Sequence, residues 1–332
     1  QLNGLEAPTV SFNRDFTDLN NMMVVAAEAY PRIESNSSDA IRIDFQYQLD
    51  NDYFSSIEAG IRSSKREYTL ERGRFVYGVS DQSSRNGQYI TYGQDADGNI
   101  IEVERFQPYQ LSADEVTVST LGGDFGNMPQ YLTVDVGQIL NSWIPNVDQT
   151  PTTDWNNAWT LTQNNVIEEN VTAAYIQANI DTELGDFPVR GNFGLRAVET
   201  EQMSTGLIDV GPGNGEAIAD DNGLISTNYV RGTEGVTYTD YLPSLNLTFA
   251  LNDYQLIRFA AAKVLARPDM NTLALSGGVS INEREGTEFL DYNSSTSPFL
   301  RPFYANQIDI SYEHYFTETD GAFAVALWNK DI

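Results

Sequence analysis

With 332 residues, 41% of them hydrophobic, the chain has material for one large or two ordinary domains and a sizeable core. It contains no cysteine, which rules out disulfides, thiolate chemistry and cysteine metal sites. Nineteen basic residues face 47 acidic ones, a formal charge of −28 spread along the whole length; such a field repels phosphate backbones and makes nucleic acid a poor partner.

No stretch reaches the roughly 18 consecutive apolar residues of a membrane-spanning helix. Spanning strands are not excluded, because their signal lies in alternation and their average is polar. The opening QLNGLEAPTVSFNRDF has no basic start followed by an apolar run, so no signal peptide is visible, and the expectation is a mature, trimmed or partial chain.

In chain order, residues 1–23 mix Pro, Asn and Asp with scattered apolar residues and read as a loop, with a weak strand over 24–33. The cleanest alternation follows, with Ile41, Ile43, Phe45, Tyr47 and Leu49 on one face and Arg42, Asp44, Gln46, Gln48 and Asp50 on the other. Asn51-Asp52 supplies a tight turn, and residues 54–70 return as a second strand. Regular alternation is then lost over 71–158, a connection long enough to be functional or to carry small elements of its own.

Residues 166–182 and 189–205 form the next strand pair around the turn ELGDFP, and 206–225 reads as a flexible connection. In YTDYLPSLNLTFALNDYQLIRFAAAKVLARP, Leu245, Leu247, Phe249 and Leu251 alternate with Ser244, Asn246, Thr248 and Ala250. Asn252-Asp253 then turns the chain into a further strand. A third connection covers 269–304, and two last strands, from Ala305 and from Ala322, flank the turn at Thr319-Asp320-Gly321.

Short turns thus alternate with long connections, and in an antiparallel meander all of one kind fall on one rim. Outer-membrane barrels sort their loops this way. Strands of about 14–17 residues also exceed the usual length in globular sheets. The fold class expected is all-β, an antiparallel up-and-down meander forming part of a large transmembrane barrel.

Four blocks carry a more specific resemblance: IRIDFQYQLDNDYFSSIEAGIRSSKREY, ENVTAAYIQANIDTELGDFPVRGNFGLRAVET, YLPSLNLTFALNDYQLIRFAAAKVLARPDMNTL, and SPFLRPFYANQIDISYEHYF followed by FAVALWNKDI. In that order they resemble the TonB-dependent receptors, most nearly the group first recognised in Caulobacter and marine proteobacteria; Ser297 stands where those receptors usually have asparagine. The resemblance implies a piece of a closed barrel of about 22 strands over 1–332, without the plug domain or the terminal strands, and makes 71–158 an extracellular loop region. It further implies an outer-membrane location, outer-membrane lipid around the barrel, an extracellular nutrient as ligand, and the TonB complex as partner through the plug. The nutrient expected is an oligosaccharide, with a ferric siderophore or a vitamin complex as the alternatives. The alternative is a soluble or cell-surface β-rich carbohydrate-binding module, which would bury the same apolar faces between two sheets.

The residues singled out for ligand binding are Tyr131, Trp143, Trp155 and Trp159, aromatics in or at the end of the longest connection that stack on sugar rings, or else anchor a barrel at the lipid interface. His314 has no second histidine to complete a metal set and reads as structural. Asp95, Asp97 and Asn99 imitate the start of a calcium loop, but Ile100 and Phe106 stand where its glycine and glutamate belong. Glu168-Glu169, Asp220-Asp221 and Glu283-Arg284-Glu285 are acidic pairs without a flanking catalytic pattern, and no enzyme activity or cofactor is expected. Gly191 and Gly194 read as relieving crowding, and Pro243 and Pro268 as strand boundaries or bulges.

Overall fold

The computed structural model describes residues 10–78, 90–94, 99–105, 107–120, 129–284, 287–316 and 320–332. They divide into two compact units, Gln1–Pro31 with Gly73–Thr153, and Arg32–Arg72 with Asp154–Ile332.

The second unit is built on one eight-stranded sheet. Its strands are β1 (Arg32–Gln48), β2 (Phe54–Arg72), β3 (Asn165–Leu184), β4 (Phe187–Asp209), β5 (Tyr229–Asn252), β6 (Gln255–Ala266), β7 (Phe303–Phe316) and β8 (Gly321–Asp331). Each pairs antiparallel with its neighbour in sequence, so the meander expected from the alternation is present. The sheet is open, with β1 and β8 at its edges.

Several boundaries differ from the sequence reading. The weak strand expected over 24–33 is two short strands, Met23–Val24 and Ala26–Ala29, and β1 starts at Arg32, directly after Pro31. β1 begins nine residues before Ile41 and β5 sixteen before Leu245, where their apolar alternations start, because backbone pairing continues the ladder through polar stretches such as ESNSSD and VRGTEG. Strands therefore reach 24 residues, longer than expected. The connection expected over 206–225 lies at 210–228 and carries a small hairpin, Ile218–Ala219 with Ile225–Ser226.

Opposed residues of an antiparallel pair share a face, so the register sorts every side chain. One rung runs Tyr47, Ile57, Ala178, Phe193, Leu245, Ala261, Ile308 and ends at Asn329, crossing all eight strands. Phe45, Ala59, Ile176, Leu195 and Pro243 form a neighbouring rung, and Gly191, Leu247, Phe259, Ile310 and Leu327 another. This apolar face is bare: Phe45 is 71% exposed, Tyr47 72% and Leu327 68%. On β4 it extends from Phe187 to Ala197; at about 3.3 Å per residue and a tilt of about 40°, it covers roughly 25 Å, the height of a lipid-facing band. Beyond it the same face turns charged, with Glu199 and Glu201 exposed on β4 and Lys65 paired to Glu168 at 2.6 Å.

The opposite face is polar, and its half nearest the long connections is covered from within the chain. After Pro268 the connection between β6 and β7 folds onto this face. Met270, Leu273 and Ala274 pack with Tyr68 and Ile167 as one buried cluster. Gln202 donates its side-chain amide to the carbonyls of Pro298 and Leu300 at 2.7 and 2.6 Å, and Ser204 Oγ accepts the Leu275 amide at 2.7 Å. Residues 270–275 and 298–300, read from sequence as part of a long connection, thus cover this part of the polar face. β5–β6 pairing begins at Ser244, directly after Pro243, which has no N–H to extend it.

The first unit has short antiparallel ribbons, Val116–Ser119 with Tyr131–Val134 and Ala26–Ala29 with Phe75–Gly78, and a helix α1 (Val136–Trp143). The Asp135 side chain caps α1 by accepting the Gln138 amide. The described parts of the 71–158 connection therefore carry small elements of their own, together with chain that precedes β1.

Candidate functional site

The uncovered half of the polar face of the large sheet holds a pocket of about 260 Å³ at its mid-height. It lies over two successive rungs, Arg42, Arg62, Ala173, Val198 and Asp240, and then Asp44, Gly60, Tyr175, Arg196 and Leu242. The lining includes Arg42, Arg62, Arg196, Tyr175, Gln177 and Leu242. Alternation puts these side chains here, since each lies one residue out of phase with the apolar rungs.

Arg42 pairs with Asp44 at 2.7 Å, and Tyr175 Oη donates to the same carboxylate at 2.7 Å. Gly60 makes room for this contact: a Cβ there would sit 2.4 Å from Asp44 Oδ1 and 2.5 Å from Tyr175 Cε1. Gly60→Ala is therefore expected to push Tyr175 off Asp44 and to cost about 1–3 kcal/mol by overpacking, read as a lower midpoint of chemical unfolding with an unchanged slope. A cost below the error of the measurement would show that the ring moves freely.

Toward the short-turn rim the pocket continues into amides. Asn179 donates to Ser56 Oγ at 2.8 Å and to Glu58 at 2.7 Å, and Gln177 donates to Asn179 at 2.9 Å. Toward the long-connection rim, Val171, Ala173 and Val198 form an apolar patch with Leu242. Above it Glu169, its side chain 3% exposed, lies between Arg267 at 3.5 Å and Arg66 at 3.8 Å.

The four aromatics chosen from sequence are divided between the units. Trp143 closes α1, with its ring edge-on to Tyr77 at 5.2 Å and stacked on Tyr109 at 6.3 Å. Tyr131 lies in a short ribbon opposite Ser119. Trp155 donates its indole N–H to the Ile218 carbonyl at 2.8 Å and stacks on Tyr229 at 4.9 Å, beside a cluster of Leu161, Leu207 and Ile218. The Arg72 guanidinium sits 4.9 Å over the Trp159 ring. None of the four is fully buried.

The other residues weighed from sequence also find places. Glu168 and Glu169 point to opposite faces, Glu168 to Lys65 and Glu169 inward. His314 Nδ1 meets the Gln255 amide at 3.1 Å, and its ring packs on Phe316. Gly191 faces the Asn246 carbonyl, 2.0 Å from where a Cβ would lie. Asp95, Asp97, Phe106 and Glu285 lie outside the described residues. Among the described residues, no group of three or more His, Asp or Glu is placed to hold a metal ion.

Asp220 caps the hairpin in the 210–228 connection, accepting the amides of Trp155 at 2.8 Å and of Asn222 and Leu224 at 2.9 Å. The Trp155 amide above all holds this carboxyl below its usual value, against a smaller opposing effect of burial. A lowered folded pKa means that the contribution is complete above the unfolded value of about 4 and is lost as pH falls through the folded one. The Trp155 indole N–H resonance is expected to shift on acidification below about pH 4, and Asp220→Asn should abolish that step.

Sequence reasoning missed Arg62 and Arg196 because each is one polar position among many in its own strand. Only the register brings them together. The available signal was the scarcity of cations, 19 against 47 acids, with arginine recurring at the polar phase of successive strands.

An open meander with one lipid-height apolar face and a polar face carrying a pocket defines a section of wall from a membrane β-barrel. The chain belongs to the TonB dependent receptor-like, beta-barrel family, whose model matches residues 5–332. Among solved structures it is similar to the siderophore receptor PiuA from Acinetobacter baumannii, at 11% identity and a TM-score of 0.41 over 90% of this chain. The match spans 32% of the receptor chain. No curated protein sequence matches.

Proposed function

We propose that this chain forms part of the wall of an outer-membrane receptor that takes up a scarce nutrient, driven by the TonB complex acting through a plug region of the whole protein. The observation that carries this reading is the apolar rung from Tyr47 to Ile308, which runs across seven strands without a polar residue. A soluble module would have to cover that face with a second sheet, whereas a barrel turns it to lipid. In this reading the long connections, including 71–158, are extracellular, and Tyr131, Trp143, Trp155 and Trp159 offer aromatic faces suited to an oligosaccharide.

The location is tested by denaturing mass spectrometry of the outer-membrane fraction of the source cells, with peptides mapped to this sequence. Recovery there, in a protein well above 37.0 kDa, is expected. Recovery in the soluble fraction would overturn the reading. The solute class is tested by titrating the purified full-length protein with oligosaccharides and with ferric siderophores; tight siderophore binding without saturable sugar binding would overturn the sugar assignment.

A further inference from the structure

The sheet divides between β5 and β6. The two strands pair from Asn252 opposite Gln255 to Ser244 opposite Ala262. Above Ser244 they part: β5 follows β4 as far as Tyr229 opposite Asp209, and β6 follows β7 as far as Ala266 opposite Phe303. β6 then leads inward, since Arg267 already faces Glu169 on the polar side. On the apolar side the division leaves a notch of about 340 Å³, bordered by Pro243 and Leu245 of β5, Ala261 and Lys263 of β6, and Asn306 and Ile308 of β7. All six belong to the apolar-face phase of the register.

Lys263 is the charged residue of this lining, and its height is defined. Pro243, level with it, lies opposite Leu195, one same-face position below the upper end of the apolar stretch at Ala197. The Lys263 ammonium sits 5.2 Å over the ring of Tyr304, which pairs with Leu265 nearer the long connections. The side chain therefore lays its stem along the notch and raises its charge to the upper border of the band. Lysine is scarce, at three in 332 residues. Lys65 is paired to Glu168 at 2.6 Å, and Lys330 lies on the polar face opposite Gln307. Lys263 is two strands in from the edge strand β8 and on the apolar side, so strands that continue the sheet past either edge do not reach it.

Lipid tails are as apolar as the notch, so a preference for one lipid must come from its headgroup. An ammonium at the upper border of the band lies at headgroup depth, and lysine binds phosphate as a point charge. We propose that the notch between β5 and β6 is a binding site for one phosphorylated lipid of the extracellular leaflet, with an acyl chain along Pro243, Leu245, Ala261 and Ile308 and a phosphate on Lys263. Asn306, opposite Lys263, adds an amide donor. The walls of the gap have no protein partner to pack against, and a seated chain supplies the missing contacts. The proposal rests on the barrel-wall reading above and adds to it a bound lipid of defined charge at one place on the wall.

The experiment is native mass spectrometry of the full-length protein released from neutral detergent micelles, titrated with lipid A as the phosphorylated probe and with its dephosphorylated form as comparison. One lipid A per protein, held more tightly than any further copies, is expected. Lys263→Gln should weaken this adduct about fivefold, the weight of one cation near an anionic membrane surface, and removal of the phosphates from the lipid should weaken it at least as much. Ala261→Trp should abolish it by filling the notch, from a position where a large apolar side chain projects away from the sheet. Lys65→Gln, on the same face but paired with Glu168, should leave it unchanged.

Lipid A adducts of uniform, weak affinity overturn the proposal. So does a tight adduct that keeps its parent affinity in both Lys263→Gln and Ala261→Trp, because the lipid would then sit elsewhere, and so does equal binding of the dephosphorylated form. Displacement of the adduct by inorganic phosphate alone would assign Lys263 to a soluble anion and overturn it as well. Equal unfolding midpoints of parent and variants in lipid-free micelles are expected and separate loss of lipid from loss of fold; the dephosphorylated comparison on the parent protein decides the matter without any variant. None of these failures bears on outer-membrane location, which the fractionation experiment decides separately.

Discussion

Glu169→Ala is expected to lower the unfolding free energy of the full-length protein in detergent micelles by about 3 kcal/mol. The carboxylate is almost fully buried under the connection between β6 and β7, and it faces Arg267 from that connection and Arg66 from β2. Neither approach is a hydrogen bond; Glu169 Oε1 and Arg267 Nε both lack a hydrogen-bond partner. The carboxylate acts by charge, and removing it leaves two guanidiniums facing each other at the edge of a core. Breaking a buried pair from one side costs about 3–5 kcal/mol; the low end applies because the arginine side chains keep 28% and 37% of their exposure and are partly screened.

A double-mutant cycle tests the pairing. Arg267→Met should cost less in the Glu169→Ala background than in the parent, since the second change then removes an uncompensated charge. Strict additivity would mean that the carboxylate and the guanidinium act independently, and that the connection is held by its apolar contacts alone.

Phe193→Arg is expected to destabilise the membrane-inserted protein by about 2–4 kcal/mol, the cost of a cation at mid-depth on the lipid side of a barrel. Phe193 lies at the middle of the apolar stretch of β4, opposite Ala178 and Leu245. Thr172→Arg is the matched comparison, on the same face but opposite Glu199, beyond the apolar band. It should cost about 0–1 kcal/mol. Reversible folding into vesicles, followed by denaturant titration, measures both. Equal costs at the two positions would show that the face does not contact lipid.

Much of the sheet was legible in the sequence because its physics is local. Ile41 to Asp50 alternate strictly, Asn51-Asp52 turns the chain, and β1 and β2 pair as that pattern requires. Where alternation stops, legibility stops too. The upper half of β5, from Tyr229 to Tyr241, is strand because its backbone pairs with β4, and Thr and Gly in VRGTEGVTYTDY give no sign of it. The inward connection was invisible for a different reason: Met270, Leu273 and Leu275 are apolar residues in a stretch without periodicity, and their partners Tyr68, Ile167 and Ser204 come from distant strands.

The pocket sits between these cases. Arg42, Arg62 and Arg196 were each assigned correctly to a polar phase or left unremarked, and only the pairing of β1 with β2 and of β3 with β4 makes them neighbours. The aromatic residues favoured from sequence were conspicuous by type. Trp155 illustrates the limit of that signal, since its indole serves a hydrogen bond to Ile218 and a stack on Tyr229 within a small core.

The inward connection also has a temporal consequence. Neighbouring strands can zip through short loops, each pairing lowering the entropy cost of the next. The contacts from Gln202 to Pro298 and from Ser204 to Leu275 bridge 96 and 71 positions, and they need β2, β3 and β4 already side by side to form a surface. Docking of this segment must therefore come late in assembly. Its few anchoring points make it the first part to detach under stress, so amide exchange around Leu275 should run ahead of exchange in the β3–β4 ladder.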